Sequence, residues 1–287
     1  TLKALFEFDC DSVKITPVNY LQPSYFTGIF NSLGSESLSE IIGSSDGCDQ
    51  GYLVEYVIFD YNGDGYNDLI YLPNDYENRD NRQRIEFYIG DCDGKFNLDS
   101  NNDNIYGLVH SRKILLGDFN SDGFVDVFLI GHGWDRDDFP GEYPVLLLGS
   151  ANGVFLENRL TNYVGYFHGG SSGDFDNDGD LDIILNTTRL GNNQFTFLTN
   201  DGSANFSENN NLGVYLDPFI GSFVNSEMFD LNHDNNLDIF LMNEVEIDNM
   251  DNVSGRNYYS EMLFGNGNDF EGDRINIPRV SEGTEVS

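Results

Sequence analysis

The sequence predicts an all-β protein built from four-stranded repeats, and two observations support this prediction. An acidic nine-residue motif occurs four times, and its first aspartates, at positions 60, 118, 174 and 230, lie 58, 56 and 56 residues apart. Each copy is followed by a short apolar run and, further along, by turn residues between apolar runs. Short apolar runs bounded by turn signals are typical of buried strands. We therefore expect one set of strands to recur with each motif.

The clearest copy of the motif, DFDNDGDLD, runs from Asp174 to Asp182. Oxygen-bearing side chains stand at its positions 1, 3, 5 and 9, and Gly179 stands at position 6. Calcium takes about six to eight oxygen ligands, and position 7 of such a loop adds a backbone carbonyl. Glycine enters the left-handed region at little steric cost, which suits a sharp turn. The motif therefore predicts a calcium loop that runs into a β-strand.

Three further copies follow the same pattern: DYNGDGYND at 60–68, DFNSDGFVD at 118–126 and DLNHDNNLD at 230–238. Asn235 replaces the glycine in the last copy, and asparagine is among the few other residues that enter the left-handed region readily. A metal-free turn rich in Asp and Asn is the alternative for a single copy, but four copies in register favour about four structural calcium ions. The predicted ligands are Asp60, Asn62, Asp64, Tyr66 and Asp68; Asp118, Asn120, Asp122, Phe124 and Asp126; Asp174, Asp176, Asp178, Asp180 and Asp182; and Asp230, Asn232, Asp234, Asn236 and Asp238.

The EF-hand begins with a similar motif, but it requires a bidentate glutamate at position 12 and flanking helices. Position 12 is occupied here by Tyr71, Leu129, Leu185 and Leu241. All four lie in short apolar runs that have the length of strands. The sequence therefore excludes an EF-hand.

The repeat is longer than its metal loop. A short apolar segment precedes the loop, as at Tyr56–Phe59 and Ile114–Leu116, and a variable connection and a hairpin follow the next strand. The hairpins are predicted at Glu86–Phe96, Leu146–Phe155, Phe195–Phe206 and Met262–Phe270, each with a last strand that opens with phenylalanine. Four strands in a period of about 57 residues are typical of one β-propeller blade.

These loops resemble the FG-GAP or VCBS-type repeat of integrin α-chain propellers and of many secreted bacterial proteins. The resemblance covers residues 55 to 275 and is specific in the calcium loops, while IGHG at 130–133 comes nearest to the FG-GAP tripeptides. It implies that the metal loops and tight turns lie on one face of a disc and the long connections on the other.

We expect one β-propeller domain over residues 1–287. Its predicted parts are a divergent blade at about 1–54, calcium-loop blades at about 55–111, 112–168, 169–222 and 223–278, and a closing tail at 279–287. Leu38 takes the place of the hairpin phenylalanine in the divergent blade, which has no complete metal motif. We expect the tail to seal a five-bladed ring, because closure removes exposed sheet edges. Membership of a longer propeller is the alternative.

The net charge of −35 and the pI near 4.1 narrow the range of partners. Nucleic acid and anionic membranes are poor partners, because phosphate binding needs clustered Lys and Arg. No run of about 18 apolar residues is present, so we expect no membrane insertion. The chain begins at Thr1 and shows no secretory signal. Loops of this type bind calcium at roughly micromolar to millimolar levels, which favours an extracellular or cell-surface location.

The three cysteines, Cys10, Cys48 and Cys92, match no zinc motif. A Cys10–Cys48 disulfide and buried free thiols are both compatible with their number and spacing.

The long connections differ in every repeat, as binding loops do on a rigid scaffold. Candidate ligand residues are Tyr76 and Arg79 in the first connection, and His132, Trp134 and Arg136 in the second. Trp134 is the single tryptophan, and aromatics with polar neighbours suit sugar stacking or a protein hot spot. The alternative for Trp134 is that it packs down over its blade.

No catalytic motif of a serine hydrolase, zinc protease or phosphate-binding enzyme is present. The four histidines are scattered along the sequence, and none forms a pair with the spacing of metal ligands. We therefore expect a non-enzymatic binding or adhesion module for protein or glycan partners, alone or as a subunit of a larger surface assembly. A lectin, or a polysaccharide lyase or hydrolase with its site on the loop face, is the alternative.

Overall fold

A computed structural model describes residues 55–73, 82–134, 140–187, 195–209, 222–244, 260–267, 270 and 274–277. These residues form four antiparallel sheets of four strands each, which confirms the predicted all-β class. The segments predicted as the divergent blade, 1–54, and as the closing tail, 279–287, lie outside the described residues. Within the described part of the chain, no helix is long and apolar enough to cross a membrane.

The strands of each sheet follow one another as an antiparallel meander. The first sheet contains β1 (Glu55–Phe59), β2 (Asp68–Leu72), β3 (Glu86–Gly90) and β4 (Phe96–Leu98). The second contains β5 (Ser111–Gly117), β6 (Asp126–Gly131), β7 (Val145–Leu148) and β8 (Leu156–Arg159). The third contains β9 (Phe167–Gly173), β10 (Asp182–Thr187), β11 (Phe195–Asn200) and β12 (Phe206–Glu208). The fourth contains β13 (Ser222–Phe229), β14 (Asp238–Glu244), β15 (Ser260–Leu263) and β16 (Arg274–Ile277).

The strand after each acidic loop begins at position 9 of the motif, one residue before the predicted apolar run. The second strands of the first three sheets are mostly buried, and β6 is buried along its whole length. A strand that is apolar on both faces belongs in a sheet that is covered on both sides. The apolar residues of these strands form continuous runs and do not alternate with polar residues, because each sheet packs against other sheets.

The predicted hairpins are present in all four sheets, but the position of the phenylalanine varies. Phe96 and Phe206 open their strands as expected, whereas Phe155 lies one residue before β8 and Phe270 lies four residues before β16. The expectation that phenylalanine opens every last strand is therefore wrong in two sheets. These last strands are only three or four residues long, and short edge strands present few unpaired backbone groups.

The core consists of three clusters, and each lies between two consecutive sheets. The first joins residues such as Ile70 and Phe87 to Val127 and Leu147. The second joins the second and third sheets, and the third joins the third and fourth. The first strands follow the same order, with β1 beside β5, β5 beside β9, and β9 beside β13. Neighbours in sequence are therefore neighbours in space.

A partly buried lysine links the first strands of the second and fourth sheets. Lys113 Nζ of β5 lies 2.7 Å from Glu227 Oε1 and 2.9 Å from Asn225 Oδ1, both on β13. Burial lowers the pKa of Lys113, while Glu227 acts in the opposite direction. On β9, between them, a Cβ at Gly169 would stand 2.5 Å from the carbonyl oxygen of Val224. The small residues of β9 therefore allow β5 and β13 to approach closely enough for the contacts of Lys113 to form.

Candidate metal centres

All four acidic loops share one backbone conformation with two left-handed residues. Position 6 is left-handed as predicted, at Gly65 (φ 93°), Gly123 (88°), Gly179 (100°) and Asn235 (67°). Position 4 is left-handed as well, at Gly63 (φ 76°), Ser121 (57°), Asn177 (59°) and His233 (63°). The left-handed residue at position 4 was not predicted, although the glycine at this position in the first loop was a signal for it.

The position-1 carboxylate organises each turn. In the third loop, Asp174 Oδ1 accepts a hydrogen bond from Asp178 N and Asp174 Oδ2 accepts one from Gly179 N, both at 3.0 Å. The same two bonds recur at Asp60, Asp118 and Asp230. The loop wraps around this carboxylate, so its shape follows from its own residues.

The position-9 aspartates, Asp68, Asp126, Asp182 and Asp238, are all fully buried. Asp182 Oδ2 accepts from Phe175 N at 3.2 Å, and its Oδ1 accepts from Asn200 N, in the hairpin of the same sheet, at 2.9 Å. The other three carboxylates make the equivalent pair of bonds. This residue, predicted only as a metal ligand, therefore also fastens the tight hairpin beside the loop, which puts both at the same end of the sheet.

Burial raises the pKa of Asp182 to about 7 and the pKa values of Asp68 and Asp126 to about 6. The backbone N–H groups that these carboxylates accept from act in the opposite direction. Neighbouring loop carboxylates add to the rise. A nearby positive charge would favour the ionised form of these buried groups.

The third loop has the geometry of a cation site. Asp174, Asp176 and Asp182 each offer one carboxylate oxygen, and these oxygens lie within 4.8 Å of one another. Asp176 Oδ1 is buried and makes no hydrogen bond in the structure. Burial raises the pKa of Asp176, and the charges of Asp178 and Asp174 raise it further. Converging carboxylates with an unpartnered oxygen fit a hard, oxygen-seeking cation.

The other three loops carry asparagine at position 3 and compensate part of this charge internally. The side-chain amides of Asn62, Asn120 and Asn232 donate to the position-5 carboxylate of their own loop, at 3.2, 2.9 and 3.0 Å. At positions 1, 3, 5 and 9, each of these loops therefore has one carboxylate fewer than the third loop, and its asparagine amide donates to the position-5 carboxylate. At position 7, Tyr66 and Phe124 can reach a metal only through the backbone carbonyl, because neither side chain ends in a carboxylate or amide oxygen.

In the first three loops, the aromatic residue at position 2 contacts a ring of the next sheet. The ring pairs are Tyr61–Phe155 at 5.6 Å, Phe119–Phe206 at 6.1 Å and Phe175–Phe270 at 6.3 Å between centroids. In the fourth loop this residue is Leu231, and 43% of it is exposed in the described part of the chain. The ring contacts of position 2 were not predicted, although an apolar or aromatic residue stands at this position in every copy of the motif.

The structure places one of the five predicted ligand residues in the interior. His132 is fully buried, and Trp134 is half-buried. Tyr76, Arg79 and Arg136 lie outside the described residues. Cys92 lies exposed in the β3–β4 turn, while Cys10 and Cys48 also fall outside the description.

Three histidines that are far apart in sequence come together around His132. Its ring centroid lies 4.0 Å from that of His110 and 4.8 Å from that of His168, and Tyr166 stacks on it at 4.3 Å. Burial lowers the pKa of His132 to about 2, and the nearby positive charge of Arg112 contributes. A neutral, enclosed imidazole is suited to packing and not to the surface contact that the sequence suggested.

Comparisons with known proteins agree with the repeat pattern. A family model described as an FG-GAP-like repeat matches residues 60–129, which include the first two acidic loops. No curated protein matches the sequence. A solved Agrocybe aegerita lectin, described as recognising non-reducing terminal N-acetylglucosamine, is 16% identical with a TM-score of 0.47, over 78% of this chain and 52% of the lectin. The V. cholerae biofilm matrix protein Bap1 is 15% identical with a TM-score of 0.40, over 77% of this chain and 28% of that protein. The chain therefore spans about half or less of the length of either structure.

Proposed function

We propose that the chain, which an FG-GAP-like repeat model matches over residues 60–129, is a calcium-stabilised β-propeller that acts outside the cell as a non-enzymatic binding or adhesion module. The observation that carries this proposal is the set of four acidic loops with one backbone geometry. In the third loop, three carboxylates converge, and one oxygen of Asp176 has no hydrogen-bond partner. Calcium supplies the positive charge that such a donor set requires.

The propeller arrangement is supported by the order in which the sheets pack. First strands lie beside first strands, and Lys113 reaches from the second sheet to the fourth. The hairpin of each later sheet covers the loop of the sheet before it, which leaves Leu231 uncovered in the described residues. In this proposal, one further unit from residues 1–54 gives five blades and the C-terminal tail completes the ring; both segments lie outside the described residues.

Calcium binding becomes folding free energy in this proposal. The carboxylates of each loop repel one another until a cation neutralises them, so the ion stabilises the folded loop. At calcium about 100-fold above the Kd of a site, that site contributes about 2.7 kcal/mol. Four such sites are comparable with the total stability of a typical domain, which is roughly 5–15 kcal/mol. The metals are therefore structural, and the partner binds elsewhere.

The binding surface in this proposal is the face that carries the long connections. The tight hairpins are held at the loop end of each sheet by the position-9 aspartates, so the long connections leave from the opposite end. Trp134 stands at the start of one such connection, two residues after His132. A protein or glycan partner on this face is compatible with a rigid scaffold that presents variable loops.

The first experiment is thermal unfolding of the full chain in millimolar calcium and in excess EGTA, together with a count of bound calcium. We expect about four ions per chain and, with each site contributing about 2.7 kcal/mol, a Tm lower by roughly 20–40 °C in EGTA, since 1 kcal/mol shifts the Tm of a large domain by about 2–4 °C. An unchanged Tm without bound calcium would overturn the proposal.

Partner class is tested separately, on the calcium-loaded protein. A glycan array and a sizing column distinguish glycan binding from self-assembly, and the Trp134→Ala variant tests the connection face. Release of unsaturated products from uronate-containing polysaccharides would contradict the non-enzymatic assignment and favour the lyase alternative.

A further inference from the structure

The third and fourth acidic loops touch each other directly. Asn177 Nδ2, at position 4 of the third loop, donates a hydrogen bond to Asn236 Oδ1, at position 7 of the fourth loop, at 3.2 Å. The β15–β16 hairpin lies against this bridge at Gly267, where a Cβ would stand 2.7 Å from Asn177 Nδ2 and 2.8 Å from Asn236 Oδ1. A Cβ there would push the two amide groups apart, and the φ of 81° at Gly267 also favours glycine, so the hairpin, the bridge and both loops form one contact.

On the side of the fourth loop, the bridge leads to a predicted metal ligand. Asn236 N and Asn236 Nδ2 both donate to Asp234 Oδ1, at 2.8 and 3.0 Å. Asp234 occupies position 5 of the loop, and the backbone carbonyl of Asn236, at position 7, is a ligand of the proposed calcium site. An ion in the fourth loop would therefore hold Asn236 in the orientation that accepts from Asn177.

In the third loop, the residue that donates the bridging hydrogen bond stands between two predicted metal ligands. Asn177 lies between Asp176 and Asp178 and has a left-handed backbone with φ of 59°. The direction in which its side chain leaves the loop is set by this backbone. An ion that draws Asp176 and Asp178 together would hold Asn177 in place as well.

The other loop pairs make no such contact in the described residues. The second and third loops communicate through one hairpin residue, Asn200, whose Nδ2 donates to Phe119 O at 2.7 Å and whose N donates to Asp182 Oδ1 at 2.9 Å. Position 4 in the second loop is Ser121, for which the structure shows no bond to another loop. The bridge is therefore specific to the third and fourth loops.

We propose that the loops at 174–182 and 230–238 bind calcium cooperatively, each ion raising the affinity of the other loop through the Asn177–Asn236 hydrogen bond. This inference rests on the proposed calcium function. The first ion orders one half of the bridge, so the second ion has less left to order. Coupling of this kind is reciprocal by thermodynamic necessity. One hydrogen bond between neutral groups corresponds to a change of about fivefold in affinity.

The test is a thermodynamic cycle on the full chain, read by isothermal titration with calcium. The wild type, Asp174→Ala, Asp230→Ala and the double variant give the affinity of the fourth loop with and without a functional third loop. The cycle is repeated in an Asn177→Gly background, which removes the amide but keeps the left-handed backbone. Ser121→Gly makes the same change at the same position of the second loop and is the matched control.

We expect loss of the third site to weaken the fourth about fivefold in the wild type and in Ser121→Gly, and to leave it unchanged in Asn177→Gly. An additive cycle in the wild type, with calcium still bound, would overturn the coupling and leave the proposed function standing. A cycle that stays coupled in Asn177→Gly would show that the bridge is not the route. Absence of calcium binding in every variant would instead overturn the proposed function itself.

Discussion

The loops at 174–182 and 230–238 share one backbone and differ in chemistry and surroundings. Both have left-handed residues at positions 4 and 6, and both wrap around the position-1 carboxylate. Position 3 is Asp176 in one loop and Asn232 in the other. Shape therefore follows from the bonds that the two loops have in common, whereas metal affinity should follow from the charges in which they differ.

The two loops also differ in how the fold supports them. Phe175, at position 2 of the third loop, is 3% exposed beneath Phe270 of the next sheet. Leu231, at the same position of the fourth loop, is 43% exposed among the described residues. A loop can thus reach the same conformation with or without a covering ring. The ring contributes to the stability of the sheet pair and is not needed for the shape of the turn.

The largest expected effect concerns position 2, where Phe175 is covered by the next sheet and Leu231 is exposed. Phe175→Ala should lower the free energy of unfolding by about 3–5 kcal/mol, because it opens a cavity between the third and fourth sheets. Leu231→Ala should cost less than about 1 kcal/mol if Leu231 stays exposed in the full chain. Urea unfolding in millimolar calcium measures both. A large loss at Leu231 would mean that residues outside the described part cover it, as a fifth blade would.

The next effect concerns the charge at the metal site. Asp174→Ala should remove the tightest site and with it about 2.7 kcal/mol of calcium-dependent stability, at calcium about 100-fold above the Kd of that site. Asp230→Ala should remove less, since its loop has three carboxylates in ligand positions and no glycine. The difference in Tm between calcium and EGTA, measured for each variant, isolates the calcium-dependent part. Equal losses of calcium-dependent stability in the two variants would contradict the expectation that the loop at 174–182 binds calcium more tightly than the loop at 230–238.

The smallest expected effect concerns position 6, which is Gly179 in the third loop and Asn235 in the fourth. Gly179→Ala should cost about 1–2 kcal/mol, because an L-residue is strained at a φ of 100° even though nothing lies within 4 Å of the added Cβ. Asn235→Gly should change stability by about 0.5 kcal/mol or less, since both residues tolerate the left-handed region. Thermal unfolding in EGTA separates this backbone effect from metal binding. A cost at Asn235 as large as that at Gly179 would mean that its side chain has a further role.

Much of the fold could be predicted because its signals are local. The nine-residue motif and the apolar run that follows it predicted where β2, β6, β10 and β14 begin to within one residue. The hairpins were predicted from turn residues, but the phenylalanine rule failed at Phe155 and Phe270. Strand starts after a turn depend on how the edge strand pairs, and such short strands tolerate a shift.

The candidate site, like the fold, could be predicted only where its signals are local in sequence. The ligand positions followed from residue types and spacing, whereas the second role of the position-9 aspartates did not, because it depends on the hairpin that each carboxylate meets. Asp182 accepts from a backbone N–H 18 positions further along the chain. His132 was predicted at the surface from its polar neighbours in sequence, yet the fold buries it among rings from other strands.

The sequence by itself determined the repeat, the conformation of its acidic loops and the strands that flank them. These features depend on residues within about ten positions of one another, so they leave a period that can be read. The tertiary structure alone decided which loops touch, which position-2 residues are covered and where the histidines meet. The Asn177–Asn236 bridge joins residues 59 positions apart, and its two residue types gain a meaning only when packing brings the third and fourth sheets together.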